Sequence, residues 1–329
     1  MRAVEAKAFG EPDVLAVTEI ADPVAGAGEV VVAVAAADVM FLDTLLRSGR
    51  GRDYFPVRPP FVPGGAVSGI VKSAGPGVDT AWIGRRVATP TAASGIGSGT
   101  PTGGYAEKVL AKVDALAAVP DALSLEQAVA LVHDGRTALA VADRANLTSG
   151  EWVLITAAAG GLGTLLIQLA RSAGARVIAA ARGEAKLALA QRLGAEAVVD
   201  YSEDGWVGKV RERTGGVQAV LDGAGGDIGR DSLGAMASGG RLIGYGNAAG
   251  GFAAIDVEAA AAQDITVITL FEITSEATDW SALHDRAQTE AASGRLEVVI
   301  GQRFALADAA AAHTAIESRA AAGRTILTV

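Results

Sequence analysis

The sequence predicts an α/β chain in which a β-rich region precedes a doubly wound parallel sheet. Three observations carry that reading. Residues 1 to about 120 are β-branched runs cut by Gly, Pro and Ser turns. From residue 123 strand-like and helix-like segments alternate, the pattern of a parallel sheet covered on both faces. The tail from 272 mixes both patterns and ends on a strand, so it returns to the first sheet. The expected division is 1–122 with 272–329 as one domain and 123–271 as the other.

Element by element, "EVVVAVAAADV", "GAVSGIVKSAG", "RRVATPTAA" and "GGYAEKVLAKV" read as strands of the first region. "RSGRGRDYFPVRPPFVPGG" is too rich in Pro and Gly for a regular element and reads as a surface loop; "TAASGIGSGTPTGG" reads as a second, flexible one. Ser124 with Gln127 fits a capping box opening the helix "LEQAVALV". Asp134-Gly135 interrupts that run and "TALAVADRA" resumes it. There follow "EWVLIT", a helix from Gly161, "ARVIAA", "EAKLALAQRLG", "AEAVVD", "WVGKVRERTG", "VQAVLD", the helix "IGRDSLGAMA", "GRLIGYG" and an edge strand "DITVITLFEI". In the tail, "SALHDRAQTEAASG" and "LADAAAAHTAIESRAAAG" are helical, and "LEVVIGQRF" and "RTILTV" are strands.

Composition narrows the chemistry. The chain has 329 residues, half of them hydrophobic, without an uninterrupted apolar run of about 18 that would suggest a membrane span. Its first residues lack the apolar region of a signal peptide, so the expected setting is the cytoplasm. With no cysteine there is no disulfide, thiolate nucleophile or thiolate zinc site. His133, His284 and His313 lie far apart, and no metal is expected. A net charge of −9 speaks against nucleic acid and anionic membranes as partners.

The stretch "LITAAAGGLGTLLIQLA" carries the most specific signal. A strand runs into a glycine turn and then a helix, and G-x-G-x-x-G falls on Ala158, Gly160 and Gly163, with Ala in the first place. Gly160 lets a backbone approach a pyrophosphate, Gly163 allows close helix–strand packing, and the helix start favours negative charge. Ala158, Gly160, Gly161, Leu162 and Gly163 are therefore the expected dinucleotide cradle. Sites that hold the unphosphorylated coenzyme place an acidic residue at the end of the second strand. Here that place reads Ala181-Arg182-Gly183, with Glu184 in the first turn of the next helix. Arg182 can meet a 2′-phosphate with a planar fork of donors, and Lys186 can add a second cation. The alternative is a solvated helix start with ordinary i,i+4 charges. "DGAGG" (222–226) and "GYGNAAG" (244–250) also follow strands, at the sheet end where ligands bind. Ala224, Gly246 and Asn247 are candidates to orient a ribose and carboxamide there, against plain turn chemistry.

Together these segments resemble the zinc-independent quinone oxidoreductase (zeta-crystallin-like) branch of the medium-chain dehydrogenase/reductase superfamily. The markers are "FLDTLLRSG", "PGGAVSGIV", "AGPGV", "GGYAEKV", "AAAGGLG", "LGAEAVVDY", "GGRLIGYG" and "IESRAAAGRTIL", in that order over essentially the whole chain. The resemblance implies a GroES-like substrate domain from both chain ends, a Rossmann domain between them, NADPH, no zinc, and a quinone or enone as substrate. It implies that Arg182, Lys186, Tyr201 and Arg319 grip the 2′-phosphate; the plain alternatives are a packed aromatic for Tyr201 and a solvated helix residue for Arg319. Leu270 and Phe271 would wall the nicotinamide, unless they are core. The apolar edge "DITVITLF" would pair across a twofold axis into a homodimer.

The pattern departs from the family on the substrate side. Many relatives carry Asn at Met40, Tyr at Leu45 and Glu at Ala66, so the pocket expected from Met40, Asp43, Leu45, Tyr54 and Thr137 is less polar. Such a pocket suits a flat or hydrocarbon-rich acceptor, including a polyketide-type enoyl intermediate. The loss of polar groups also leaves open an NADPH-binding protein with little turnover. Tyr54, Thr137 and, less so, His133 are the candidate proton donors. Thr137 is equally a candidate helix N-cap, and Asp43 a local structural residue through backbone contacts or Arg47.

Overall fold

A computed structural model describes residues 1–52, 55, 57–91, 103–275 and 277–329. It divides into two compact units, Met1–His133 with His284–Val329, and Asp134–Leu283. These divisions fall later in the chain than 122 and 272. The helix opened by Ser124 packs on the first unit's strands, and the segment after 272 stays with the parallel sheet until Leu283.

In the first unit, β1 (Arg2–Ala6) pairs antiparallel with β2 (Leu15–Glu19) as a two-stranded sheet. β3 (Glu29–Val39) is a β-branched run of 11 residues, long enough to pair with more than one neighbour, and leads into α1 (Phe41–Ser48). Next come β4 (Ala66–Ala74), β5 (Arg86–Pro90), β6 (Lys108–Lys112), β7 (Ala117–Ala118) and α2 (Leu125–Ala130). Ser124 and Gln127 form the expected capping box, each side chain bonding the other's backbone N–H at 3.1 and 2.9 Å.

The second unit opens with α3 (Arg136–Ala145) and β8 (Trp152–Thr156), then α4 (Gly161–Ser172), β9 (Arg176–Ala181), α5 (Glu184–Arg192) and β10 (Ala197–Asp200). α6 (Trp206–Thr214), β11 (Val217–Asp222), α7 (Gly226–Ser232), β12 (Met236–Gly244), α8 (Val257–Ala261), β13 (Thr266–Thr269) and α9 (Leu270–Ile273) complete the alternation. All six strands run parallel in the order β10-β9-β8-β11-β12-β13. β8 is buried at every position, as a strand covered on both faces requires. The order reverses direction between β8 and β11, so a crevice opens beyond their carboxyl ends.

α10 (Trp280–Ala292) crosses the division between the units. β14 (Ile300–Ala305), α11 (Ala309–Glu317) and β15 (Arg324–Thr328) then return the tail to the first unit. β15 lies parallel to β14 and antiparallel to β3, completing a seven-stranded sheet as the terminal strand pattern predicts.

Several local expectations change. The Asp134-Gly135 interruption is a π-helical turn over Leu131–Gly135, so the chain passes from α2 to α3 without a cap. Thr137 is thus the second residue of α3 and not its N-cap. The helix expected over 228–237 ends at Ser232, and β12 already begins at Met236. "DITVITLFEI" yields only a four-residue strand, because Thr269 and Glu272 form a capping box that starts α9. Residues 92–102 of the second loop lie outside the described residues.

A polar cluster is buried in the first unit. Asp38 takes a bidentate ion pair from Arg324, and Asp43 accepts N–H groups from Met40 at 2.8 Å and Gly64 at 3.3 Å. Tyr105 Oη lies 3.0 Å from His313 Nε2. Burial pushes Asp43 up to about 7 and, with the nearby Arg47 cation, holds His313 down to about 3. Asp43 therefore contributes stability below its unfolded value of about 4 and loses it as pH rises through 7. His313 contributes above its unfolded value of about 6.5 and loses it as pH falls toward 3. The two slopes oppose each other between about pH 4 and 6.5. Asp43→Asn is expected to lose stability on acidification across that window more steeply than the parent, and His313→Gln to gain it. Urea midpoints at four pH values check both; equal slopes in all three proteins would refute the assignment.

Candidate active site

The glycine turn follows β8 directly. Ala157 takes the left-handed conformation at φ 48°, and Gly160 is extended before α4. A Cβ on Gly163 would lie 2.6 Å from Ala157 O and 2.8 Å from the Ala158 carbonyl, so only glycine lets the helix pack this close. The first i,i−4 bond closes from Thr164 N to Gly160 O at 2.9 Å. The N–H groups of Gly161, Leu162 and Gly163 are thus the unsatisfied donors of the helix start, directed beyond the carboxyl end of β8. Ala158 is buried, its N–H bonded to Ala180 O at 3.1 Å, and serves the turn through packing. These features fit a pyrophosphate.

One strand over, Arg182 follows the last residue of β9 and is exposed. Ala181 pairs in register with Asp200 of β10, and Tyr201 N donates to Ala181 O at 3.3 Å. Arg182 and Tyr201 therefore leave adjacent strand ends. Lys186 joins them from the first turn of α5, its N–H bonded to Gly183 O at 3.2 Å. Arg319 belongs to the other unit, just past α11, at φ 58°. Sequence reasoning passed over Asp200, although it stands in the quoted "LGAEAVVDY". Its carboxylate accepts Gly183 N at 2.7 Å and Ser202 N at 2.8 Å. Its pKa is lowered: burial pushes upward, but the bonds from Ser202 and Gly183 and the nearby Arg182 cation together prevail.

The third corner is organised by two residues that the sequence reading also missed, Thr156 and Asp222 at the ends of β8 and β11. Thr156 Oγ1 donates to Asp222 Oδ1 at 2.5 Å and accepts the N–H groups of Gly223 and Ala224 at 3.1 Å. Asp222 also takes N–H groups from Ala224 and Gly225 at 3.1 Å, and its pKa is raised by burial against these bonds. Ala224 is thereby spoken for: its N–H faces this pair and its C=O accepts Ala249 N at 2.7 Å, so it shapes the turn. Gly246 N donates to Asp222 O at 3.1 Å, and a Cβ on Gly246 would stand 2.1 Å from Gly223 O. Gly246 thus locks the second turn onto the first and leaves the half-buried side chain of Asn247 as this corner's polar group. The signal for Thr156 and Asp222 was available, since a polar residue closing an apolar strand must find a partner. Thr156→Val should cost about 1–3 kcal/mol by stranding the Gly223 N–H and removing a donor from a buried carboxylate. Chemical denaturation measures it.

Leu270 and Phe271 begin α9 rather than extend a strand. Phe271 is 63% exposed and its ring lies 5.9 Å from that of Phe252, so it is not core.

The substrate-side candidates separate by unit. Met40, Asp43 and Leu45 lie together at the start of α1, with Leu45 half-buried and Met40 buried. Asp43 is fully buried and holds the backbone of Met40 and Gly64, which corrects its place among pocket residues to a structural one. Its expected partner Arg47 instead binds Gly10 O at 2.7 Å and Glu317. Ala66 is buried on β4 opposite Pro90. His133 is buried with Nε2 3.0 Å from Gly65 O, a carbonyl that can only accept, so Nε2 is the protonated nitrogen and is engaged. Thr137 is half-buried on α3 in the second unit, and Tyr54 lies outside the described residues.

Residues 26–121 match the alcohol dehydrogenase GroES-like domain and 161–289 the zinc-binding dehydrogenase domain. The chain is 31% identical over 333 residues to a quinone oxidoreductase of Pseudomonas aeruginosa, covering 98% of each protein. It belongs to the medium-chain dehydrogenase/reductase superfamily as a quinone oxidoreductase-like protein. A 2-haloacrylate reductase of a Burkholderia species is also 31% identical, over 97% of this chain and 96% of its own. A mycobacterial protein solved in complex with NADPH superposes with a TM-score of 0.88 at 34% identity, covering all of both chains. The two units of this quinone oxidoreductase-like protein are therefore a GroES-like domain and a Rossmann-like parallel-sheet domain, and it is an oxidoreductase. No helix among its described residues is long and apolar enough to cross a membrane. None of those residues forms a group of three or more His, Asp or Glu able to hold a metal ion.

Proposed function

We propose that the protein is a metal-independent NADPH-dependent reductase whose acceptor is a quinone or the C=C bond of an α,β-unsaturated carbonyl. The observation that carries this reading is the pairing of a glycine-gated helix start with a basic corner one strand away. Relatives named as a quinone oxidoreductase and a 2-haloacrylate reductase, and a structural neighbour holding NADPH, support it. NADPH, when bound, supplies the hydride. The helix start at Gly161–Gly163 holds the pyrophosphate, Arg182, Lys186, Tyr201 and Arg319 recognise the 2′-phosphate, and Asn247, on the turn that Gly246 locks, orients the nicotinamide end, beside Leu270 and Phe271. Met40 and Leu45 present hydrocarbon to the acceptor, favouring a flat or long-chain substrate over a polar one. Thr137 and Tyr54 are the hydroxyl candidates for proton delivery to the enolate or quinol oxygen.

Stopped-flow oxidation of NADPH against a panel of quinones, enones and enoyl thioesters tests this function. Turnover with quinones or small enones is the expected result. Turnover confined to long-chain enoyl thioesters would instead assign a biosynthetic enoyl reductase with an apolar substrate. Tight binding of NADPH with silence across the panel would contradict the reductase reading in favour of a coenzyme-binding protein with little turnover.

The reading extends to a cytoplasmic homodimer joined at β13. That strand is one of the sheet's two edges, and Phe252 and Phe271 are exposed, at 39% and 63%. Light scattering should return twice the chain mass. Phe271→Glu should shift the protein toward monomer without loss of secondary structure.

A further inference from the structure

We propose that Asp200 determines coenzyme selectivity by competing with the 2′-phosphate for its binding groups. The inference rests on the coenzyme reading above and adds a residue that opposes the basic corner. The β9–α5 turn places a backbone donor, the N–H of Gly183, at the mouth of a nine-residue helix. That is the kind of donor a phosphate takes at a helix start. Asp200 already occupies it: Oδ2 accepts Gly183 N at 2.7 Å while Oδ1 is anchored by Ser202 N at 2.8 Å and Ser202 Oγ at 2.5 Å. A carboxylate of this chain thus stands as an internal anion where a phosphate oxygen would bind.

Charge points the same way. Arg182 and Lys186 bring two positive charges to the corner, and Glu184, in the first turn of α5, and Asp200 bring two negative ones. Within the parallel-sheet unit a dianionic phosphate therefore meets two positive and two negative side chains, and the Arg182 charge already helps to hold the Asp200 carboxylate's pKa down. The unphosphorylated coenzyme carries no such group and feels neither the competition nor the repulsion. Asp200 therefore narrows the gap between NADPH and NADH, and its removal widens it.

Glu184 supplies the internal control. It carries the same charge in the same turn but does not hold the Gly183 N–H. Removing a screened unit charge at this range is expected to change phosphate affinity by about threefold. Freeing a backbone donor to the phosphate in addition is expected to bring the change to about tenfold. Asp200→Asn keeps one acceptor oxygen for Ser202, and Asp200→Ser is too short to reach Gly183. Dissociation constants for NADPH and NADH are read from coenzyme fluorescence titration of the full chain, with melting temperatures as a check on folding.

The expected result is an NADPH-to-NADH affinity ratio about tenfold above the parent in at least one Asp200 variant, and above that of Glu184→Gln. A ratio in both Asp200 variants no greater than that of Glu184→Gln would overturn the inference while leaving the coenzyme reading intact. A parent that bound neither coenzyme would overturn that reading and the inference with it.

Discussion

Arg182→Ala is expected to weaken NADPH binding by about 10- to 100-fold and to leave NADH binding unchanged. The guanidinium leaves the end of β9 exposed, beside Tyr201 on the neighbouring strand end and Lys186 one turn along α5. Hydrogen bonds to a charged partner contribute about 1.5–3 kcal/mol, and a bidentate arginine–phosphate pair lies at the upper end of that range. The effect is specific because the group it meets exists on only one of the two coenzymes. Isothermal titration with both coenzymes on both proteins measures it. A parallel loss for NADH would instead mean that Arg182 holds the turn in shape.

Gly163→Val should abolish binding of both coenzymes alike. The added Cβ alone would lie 2.6 Å from Ala157 O and 2.8 Å from the Ala158 carbonyl, both backbone atoms that cannot rotate away. Relief requires α4 to retreat from β8, which carries the N–H groups of Gly161 and Leu162 away from the phosphates. Overpacking of this kind costs about 1–3 kcal/mol in stability, so the variant is expected to fold with a lower urea midpoint. The same pair of titrations reads the result, and retained binding of either coenzyme would contradict the role given to the turn. Taken with Arg182→Ala, it separates the shared pyrophosphate from the single 2′-phosphate.

The parallel sheet was legible because each of its strands is a short apolar run bounded by a turn signal, as in "VLIT" and "VQAVLD", with a helix pattern between. The glycine turn and Arg182 were legible because they follow strands at fixed offsets. What the residues did not disclose was commitment. Ala224 looked like a backbone ligand until Thr156 and Asp222 were seen to take its N–H. Asp43 read both as a pocket residue and as a structural one, and its carboxylate, bonded to Met40 and Gly64 inside the first unit, decides for the second. Each has one partner two or three residues away and a second 21 or 68 residues away, and no local periodicity encodes the second. Asp134-Gly135 misled for another reason. One extra residue per turn lets a helix absorb a breaker as a π turn, so the run continues where propensity predicts an end.

The central claim is that a phosphorylated adenosine is recognised at the Arg182 corner of the parallel-sheet unit. Competition of adenosine 2′,5′-bisphosphate and adenosine 5′-monophosphate for this chain tests it without nicotinamide, acceptor or turnover. The account predicts that the bisphosphate binds about tenfold more tightly, with an advantage that shrinks as salt is raised from about 50 to 500 mM. Equal affinities for the two fragments at low salt would contradict it.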